Sequence, residues 1–327
     1  MLSNALDRDR NRRSRTADCS TASEGLSRFQ TKATIERRAR DMQVIEPRGG
    51  RWQVGHGRHV DLGERACIMG VLNATPDSFS DGGRYASVEA AVAESLRMVK
   101  EGATIVDIGG ESTRPGATPV DASEEQRRIM PVIEELARRS DCIISVDTYR
   151  SETARLAVKA GAHIVNDIWG AQKDPEIAKV AAETGSGLCL MHNGRERDRL
   201  EDVIEDQFVF LKRSLEIAVE AGVPREAIVL DPGFGFEKDG SENMVLMARF
   251  DEVLPLGYPV LVGTSRKRFV RTDPEGRLPN PDYATAATTA LLRERGADIF
   301  RVHDVEINRD ALFIADAMRR AMKGERW

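Results

Sequence analysis

Polar side chains able to do chemistry recur where short apolar runs end. Asn73 ends IMGVLN, Glu111 to Arg114 follow IVDIGG, Asp147 follows ISV, Asn166 and Asp167 close IVND, and His192 follows LCLM. Asp231 follows IVL, Lys267 lies in GTSRK, and Arg301 and His303 stand in FRVH. Carboxylates and carboxamides gathered together can accept and donate hydrogen bonds in planar pairs, while cations beside them suit an anionic group. Each residue also has a plain structural reading. Asp147 and Asp167 could cap the helices that follow, Asn73 could serve the turn before Pro76, Arg266 and Lys267 could be a solvated pair, and His303 could be a structural histidine. Such residues at the end of every run argue instead for a mouth that binds something polar.

The elements that must position them repeat one pattern eight times: an apolar run, a polar or glycine-rich loop, an amphipathic helix. The runs are Cys67–Leu72, Thr104–Ile108, Ile143–Val146, His163–Val165, Gly187–Met191, Ile228–Leu230, Val260–Val262 and Ile299–Val302. Helices are expected over Val88–Lys100, Glu124–Arg138, Glu152–Lys159, Pro175–Glu183, Val203–Ala221, Glu242–Phe250, Tyr283–Arg295 and Asn308–Met322. Gly102, Gly161, Gly222 and Gly296 stand where helices should end. Eight such units predict an α/β fold, a (β/α)8 TIM barrel whose active site lies at the C-terminal strand ends. A short β-hairpin, RWQV and RHVDL around Gly55 and Gly57, should close one end. Neither GxGxxG nor GxxxxGK[ST] occurs, and Gly233-Phe234-Gly235 is too short for a dinucleotide loop.

Composition narrows the class further. The 327 residues are 41% hydrophobic with a net charge of −5, enough for a large core and unsuited to general nucleic-acid binding. Residues 1–50 carry 11 Lys/Arg against 7 Asp/Glu and few large apolar side chains, so they are expected to be a disordered basic extension to a catalytic domain at 51–327. Neither a secretory signal nor a membrane span is expected, which makes the cytoplasm the expected location. Cys19, Cys67, Cys142 and Cys189 lack metal-type spacing and should be reduced thiols. NATPDSFSDGG and GGESTRPG are long polar loops that could act as mobile lids over the mouth.

Taken together, IMGVLNATPDSFSDGG, VDIGGESTRPGA, SVDTYRSE, IVNDIWG, LMH, VLDPGFGF, GTSRKRF and FRVHDV resemble the dihydropteroate synthase family, from Trp52 to Met322. The resemblance implies a pterin-binding barrel that joins 4-aminobenzoate to a dihydropterin methyl diphosphate, with Mg2+ and as a homodimer. It implies pterin recognition by Asp147, Asn166, Met191, Asp231, Phe236 and Lys267. Asn73, Arg301 and His303 would bind the pyrophosphate, Asn73 also holding the metal. Asp81 would stabilise the developing cation, making Asp81, Lys267, Arg301 and His303 the catalytic set.

For 4-aminobenzoate the implied pocket is Phe79, Thr113, Arg114 and Pro115, with the Lys267–Arg268 helix start near its carboxylate. Sulfonamides, which mimic that substrate in the family, should compete. Two positions depart from the family pattern: Arg268 stands where many relatives have Ser, and NGRERDRL follows Met191-His192 in place of a Gln-Gly-containing loop. A pterin-dependent methyltransferase, or a non-catalytic pterin-binding protein, would share the pterin set. Neither needs all of the TPDSFSDGG, STRP and SRK loops together with Asn73, Arg301 and His303.

Overall fold

Period-two alternation sorts each apolar run into an inner and an outer face. The structure, a computed structural model, describes residues 50–74, 83–112, 119–271 and 279–325, with side chains from 83 to 86 left out. Strands β1 (Gly50–Val54) and β2 (Arg58–Leu62) form the expected antiparallel hairpin. Then come β3 (Cys67–Asn73), β4 (Ile105–Gly109), β5 (Ile143–Asp147), β6 (Ile164–Asp167), β7 (Gly187–Met191), β8 (Ile228–Asp231), β9 (Leu261–Val262) and β10 (Ile299–Val302). These eight pair in parallel in the order β8-β7-β6-β5-β4-β3-β10-β9. A parallel bridge between Leu230 and Val260 brings β8 to β9 and closes the barrel, the Leu230 N–H donating to Pro259 O at 3.0 Å.

The helices are α1 (Gly83–Glu101), α2 (Ala122–Arg139), α3 (Ser151–Ala160), α4 (Glu176–Thr184), α5 (Val203–Glu220), α6 (Gly240–Ala248), α7 (Pro281–Glu294) and α8 (Val305–Met322). Side-chain caps fix where several begin: Asp121 accepts from Glu124 N, Asp202 from Ile204 N and Glu205 N, Asn280 from Asp282 N, and Asp304 from Ile307 N. Asp239 and Glu242 form a capping box at α6. The four expected terminator glycines all take positive φ. Helix α6 stops short of the expected Phe250, because the chain breaks into 3-10 turns at Phe250–Glu252 and Leu254–Leu256, the second containing Pro255.

Outward residues such as Val106, Ile108, Ile144, Val165, Leu188 and Leu190 meet helix residues in one continuous core. Inward residues at the N-terminal end form a second core, Met69, Ile105, Ile143, Ile164, Cys189, Val229, Leu261 and Ile299, and the hairpin closes it with Trp52, Val54, Val60 and Leu62. Trp52 is 1% exposed and donates through Nε1 to Ala227 O at 2.9 Å. At Gly187 a Cβ would lie 2.9 Å from the Val54 side chain and 3.1 Å from the indole, so glycine lets the hairpin seat. Cys67, Cys142 and Cys189 are buried free thiols, and burial pushes Cys67 up to about 12. Cys19 lies outside the described residues.

Strand boundaries shift in an informative way. Asn73, Asp147 and Asp231 are the last residues of their strands rather than the first of the loops, because the ladder continues through Asn73↔Gly109, Gly109↔Asp147 and Met191↔Asp231. Their side chains therefore keep the inward alternation. At the other end Thr104 and His163 precede their strands, and the His163 ring accepts the Ile144 N–H through Nδ1 at 3.1 Å.

Candidate active site

The inward positions change character along the barrel, from the apolar plug at the N-terminal end to charged and amide groups at the C-terminal end. Arg301 on β10 donates through Nε to Asp107 Oδ2 at 2.6 Å and through Nη2 to Asp147 Oδ2 at 2.7 Å, using two of its three nitrogens. Asn166 on β6 donates to the same Asp107 oxygen at 3.1 Å. Burial raises Asp147 to about 7, with the Arg301 guanidinium opposing it, and the facing carboxylates hold Arg301 above its ordinary range against its own burial. Gly109 leaves room beside this pair, since a Cβ there would lie 3.4 Å from Asp147 Cβ.

Asp231 accepts the Gly233 N–H through Oδ1 at 2.7 Å; burial raises its pKa and the Lys267 ammonium opposes the rise. Lys267 reaches the Phe234 carbonyl, and its low-dielectric surroundings lower it to about 8 with Asp231 acting the other way. Gly235 makes that reach possible: a Cβ there would meet the Lys267 stem at 2.9 Å. The Phe236 ring has Lys267 Nζ 4.7 Å from its centroid and the Arg195 guanidinium at 5.0 Å, and it packs with Ile168, Met191 and Trp169. His303 is oriented by Ser265, whose Oγ lies 2.9 Å from Nδ1.

The structure thus brings Asp147, Asn166, Met191, Asp231, Phe236, Lys267 and Arg301 to one end of the barrel, together with Asn73 and His303 at the ends of β3 and β10. Phe79, Asp81, Thr113, Arg114 and Pro115 lie outside the described residues. Arg268 is exposed, and the helix start expected at Lys267–Arg268 is instead a three-residue 3-10 turn, Arg268–Val270, which carries no full helix dipole. Arg266 and Lys267 divide between the two readings: Arg266 pairs with Asp282 at the surface (2.6 Å), while Lys267 turns inward. Asp167 is a turn former, its carboxylate taking the Trp169 and Ala171 N–H groups at 2.8 and 2.6 Å. Glu111 and buried Glu125 both pair with Arg150, at 2.8 and 3.0 Å.

Sequence reasoning missed Asp107. It is fully buried, its Oδ2 anchors Arg301 and Asn166, and its Oδ1 has no hydrogen-bond partner among the described residues. Ser145, beside it in the β4–β5 register, likewise has a buried hydroxyl without a partner. The signal was an acid at an inward, period-two position inside the apolar run IVDIG.

The profile of the family described as pterin binding enzyme matches residues 69–303. The dihydropteroate synthase of Bacillus subtilis is 50% identical over 248 residues, covering 74% of this chain and 85% of that protein. The chain belongs to the pterin-binding dihydropteroate synthase family. It is a transferase of folate biosynthesis. The Clostridium difficile enzyme, crystallised with pteroic acid, superposes with a TM-score of 0.77 at 44% identity, covering 80% of this chain and 99% of that one. The Xanthomonas albilineans enzyme with 4-aminobenzoic acid gives 0.75 at 41%, covering 83% and 98%. Among the described residues no helix is long and apolar enough to cross a membrane.

Proposed function

We propose that the barrel mouth condenses (7,8-dihydropterin-6-yl)methyl diphosphate with 4-aminobenzoate, giving 7,8-dihydropteroate and pyrophosphate. The observation that carries this reading is the Arg301–Asp107–Asn166–Asp147 cluster facing Asp231 and Lys267 at one barrel end. A pterin edge presents an exocyclic amine beside a ring N–H, and Asp231 has lone pairs for both although Oδ1 already takes Gly233 N–H. Asp147 and Asn166 read the other ring nitrogens, and Lys267 donates to the ring carbonyl and adjacent nitrogen. Met191 and Phe236 cover the ring's apolar face.

Arg301 and His303 neutralise the diphosphate as the C–O bond breaks, and the cation left on the pterin methylene is delocalised into the ring. Asp81 adds a negative charge. The aromatic amine then attacks the methylene carbon, forming the C–N bond, and its displaced proton passes to the released pyrophosphate or to solvent. The amine's low basicity leaves its lone pair available at neutral pH, so positioning and electrostatics supply most of the rate. Phe79, Thr113, Arg114, Pro115 and Arg268 surround the 4-aminobenzoate, and sulfonamides compete for that place.

Mg2+ fits this donor set through Asn73. Asn73, the last residue of β3, would offer its carboxamide oxygen to such a hard cation beside the diphosphate. When bound, Mg2+ supplies further charge neutralisation to the departing pyrophosphate.

The enzyme works in the cytoplasm as a homodimer. Tyr283 and Leu291 on α7, with Ile314, Met318 and Met322 on α8, are exposed at intervals of four or eight residues on neighbouring helices, a surface suited to a second copy. Titrating the protein with the pterin diphosphate tests the site: the Asp231→Asn variant should lose binding by at least about tenfold. Unchanged affinity would remove Asp231 from the pterin site.

A further inference from the structure

Lys238 stands apart from the groups assigned to substrate, yet it is only 7% exposed on the loop between β8 and α6. Its Nζ lies 2.9 Å from Gly233 O, 2.9 Å from His192 Nδ1 and 3.5 Å from Phe236 O. Burial holds His192 at about 3, so the ring is neutral; its Nδ1 faces the lysine, and its Nε2 lies 2.8 Å from Asp206 Oδ2 on α5 and 2.9 Å from Arg197 Nη2. Asp206 also takes the Leu200 N–H at 2.9 Å and the Arg197 guanidinium. Arg197 belongs to NGRERDRL, the loop that departs from the family pattern, and its tie to Asp206 fastens that loop to α5.

The Lys238 and His192 bonds converge on the peptides that carry Asp231 and Phe236. His192 N–H donates to Asp231 O at 2.8 Å, and Gly233 N–H donates to Asp231 Oδ1 at 2.7 Å while Gly233 O is held by Lys238. Gly233 has φ +64°, and a Cβ there would fall 1.9 Å from His192 O, so the two loop ends interlock at backbone distance. We propose that Lys238, His192 and Asp206 form a positioning relay that fixes the Gly233–Phe236 turn and thereby sets how Asp231 and Phe236 meet the pterin. The relay does not depend on the charge of Lys238: burial lowers that group to about 7, and a neutral amine still has two N–H bonds for His192 and Gly233.

This inference rests on the reading that Asp231 holds the pterin, so Asp231→Asn serves as the control. In the full-length protein, Lys238→Met should raise KM for the pterin diphosphate about tenfold while kcat and KM for 4-aminobenzoate stay within about twofold. His192→Asn should act similarly, and the double variant should lose no more than the worse single one, because the groups act as a unit. If Lys238→Met does not fold, Asp206→Asn carries the same test. A lowered Tm with unchanged pterin KM, or fully additive losses, would overturn the relay. Normal pterin binding by Asp231→Asn would overturn the site reading itself, whereas loss in that variant alone would overturn the relay and leave the site.

Discussion

Arg301 and Asp107 meet at 2.6 Å across 194 residues of sequence, joining the last barrel strand to β4 over the intervening β3. The contact aims the guanidinium across the mouth and leaves Asp107 Oδ1, at its floor, without a hydrogen-bond partner among the described residues. Removing the charge but not the shape should therefore disturb Arg301 more than the fold. Asp107→Asn is expected to lower kcat/KM by about 10- to 100-fold, the value of a hydrogen bond to a charged group, with little change in Tm. Steady-state kinetics beside thermal unfolding check this, and a near-normal kcat/KM would mean that Asp147 alone positions Arg301.

Lys267 should give the reaction an alkaline limb. With a folded pKa of about 8, lowered by burial, the lysine loses the proton it donates to the pterin as pH rises through that value. The kcat/KM for the pterin substrate should fall about tenfold per pH unit above it, and Lys267→Met should remove the limb along with most activity. Stability moves oppositely: the unfolded chain binds more protons than the folded one between about 8 and the ordinary lysine value, so this group's cost to folding is relieved over that window. A pH-rate profile flat to pH 10 would contradict the assignment.

The hairpin should matter for stability and not for chemistry. Trp52→Ala opens the N-terminal plug, far along the strands from Asp231 and Arg301, and should cost about 3–5 kcal/mol in denaturant unfolding. Both KM values should be unaffected well below the melting temperature. A change in pterin KM would show that the plug transmits to the mouth.

How much was legible follows from the period of the strands. Eight apolar runs with amphipathic helices between them, four ended by glycine, specify the barrel, and its polar mouth was visible because Asn73, Asp147 and Asp231 sit at run ends. Asp107 was hidden by the same rule: one acid within IVDIG does not change an apolar average, and only the inward alternation reveals it. Asp147 and Asp167 look alike in sequence, each ending a strand before a helix. Inward alternation sends Asp147 to Arg301, while the other phase gives Asp167 to the Trp169 and Ala171 amides. The expected helix start at Lys267–Arg268 failed for a local reason, because the chain makes only one 3-10 turn there.

The most direct test is pyrophosphate release from the dihydropterin methyl diphosphate, measured with and without 4-aminobenzoate, in Mg2+ and in EDTA. Release that needs Mg2+, is promoted by 4-aminobenzoate and yields 7,8-dihydropteroate is the expected result. Tight pterin binding without pyrophosphate release under any of these conditions would contradict the reading and leave a pterin-binding barrel with another task.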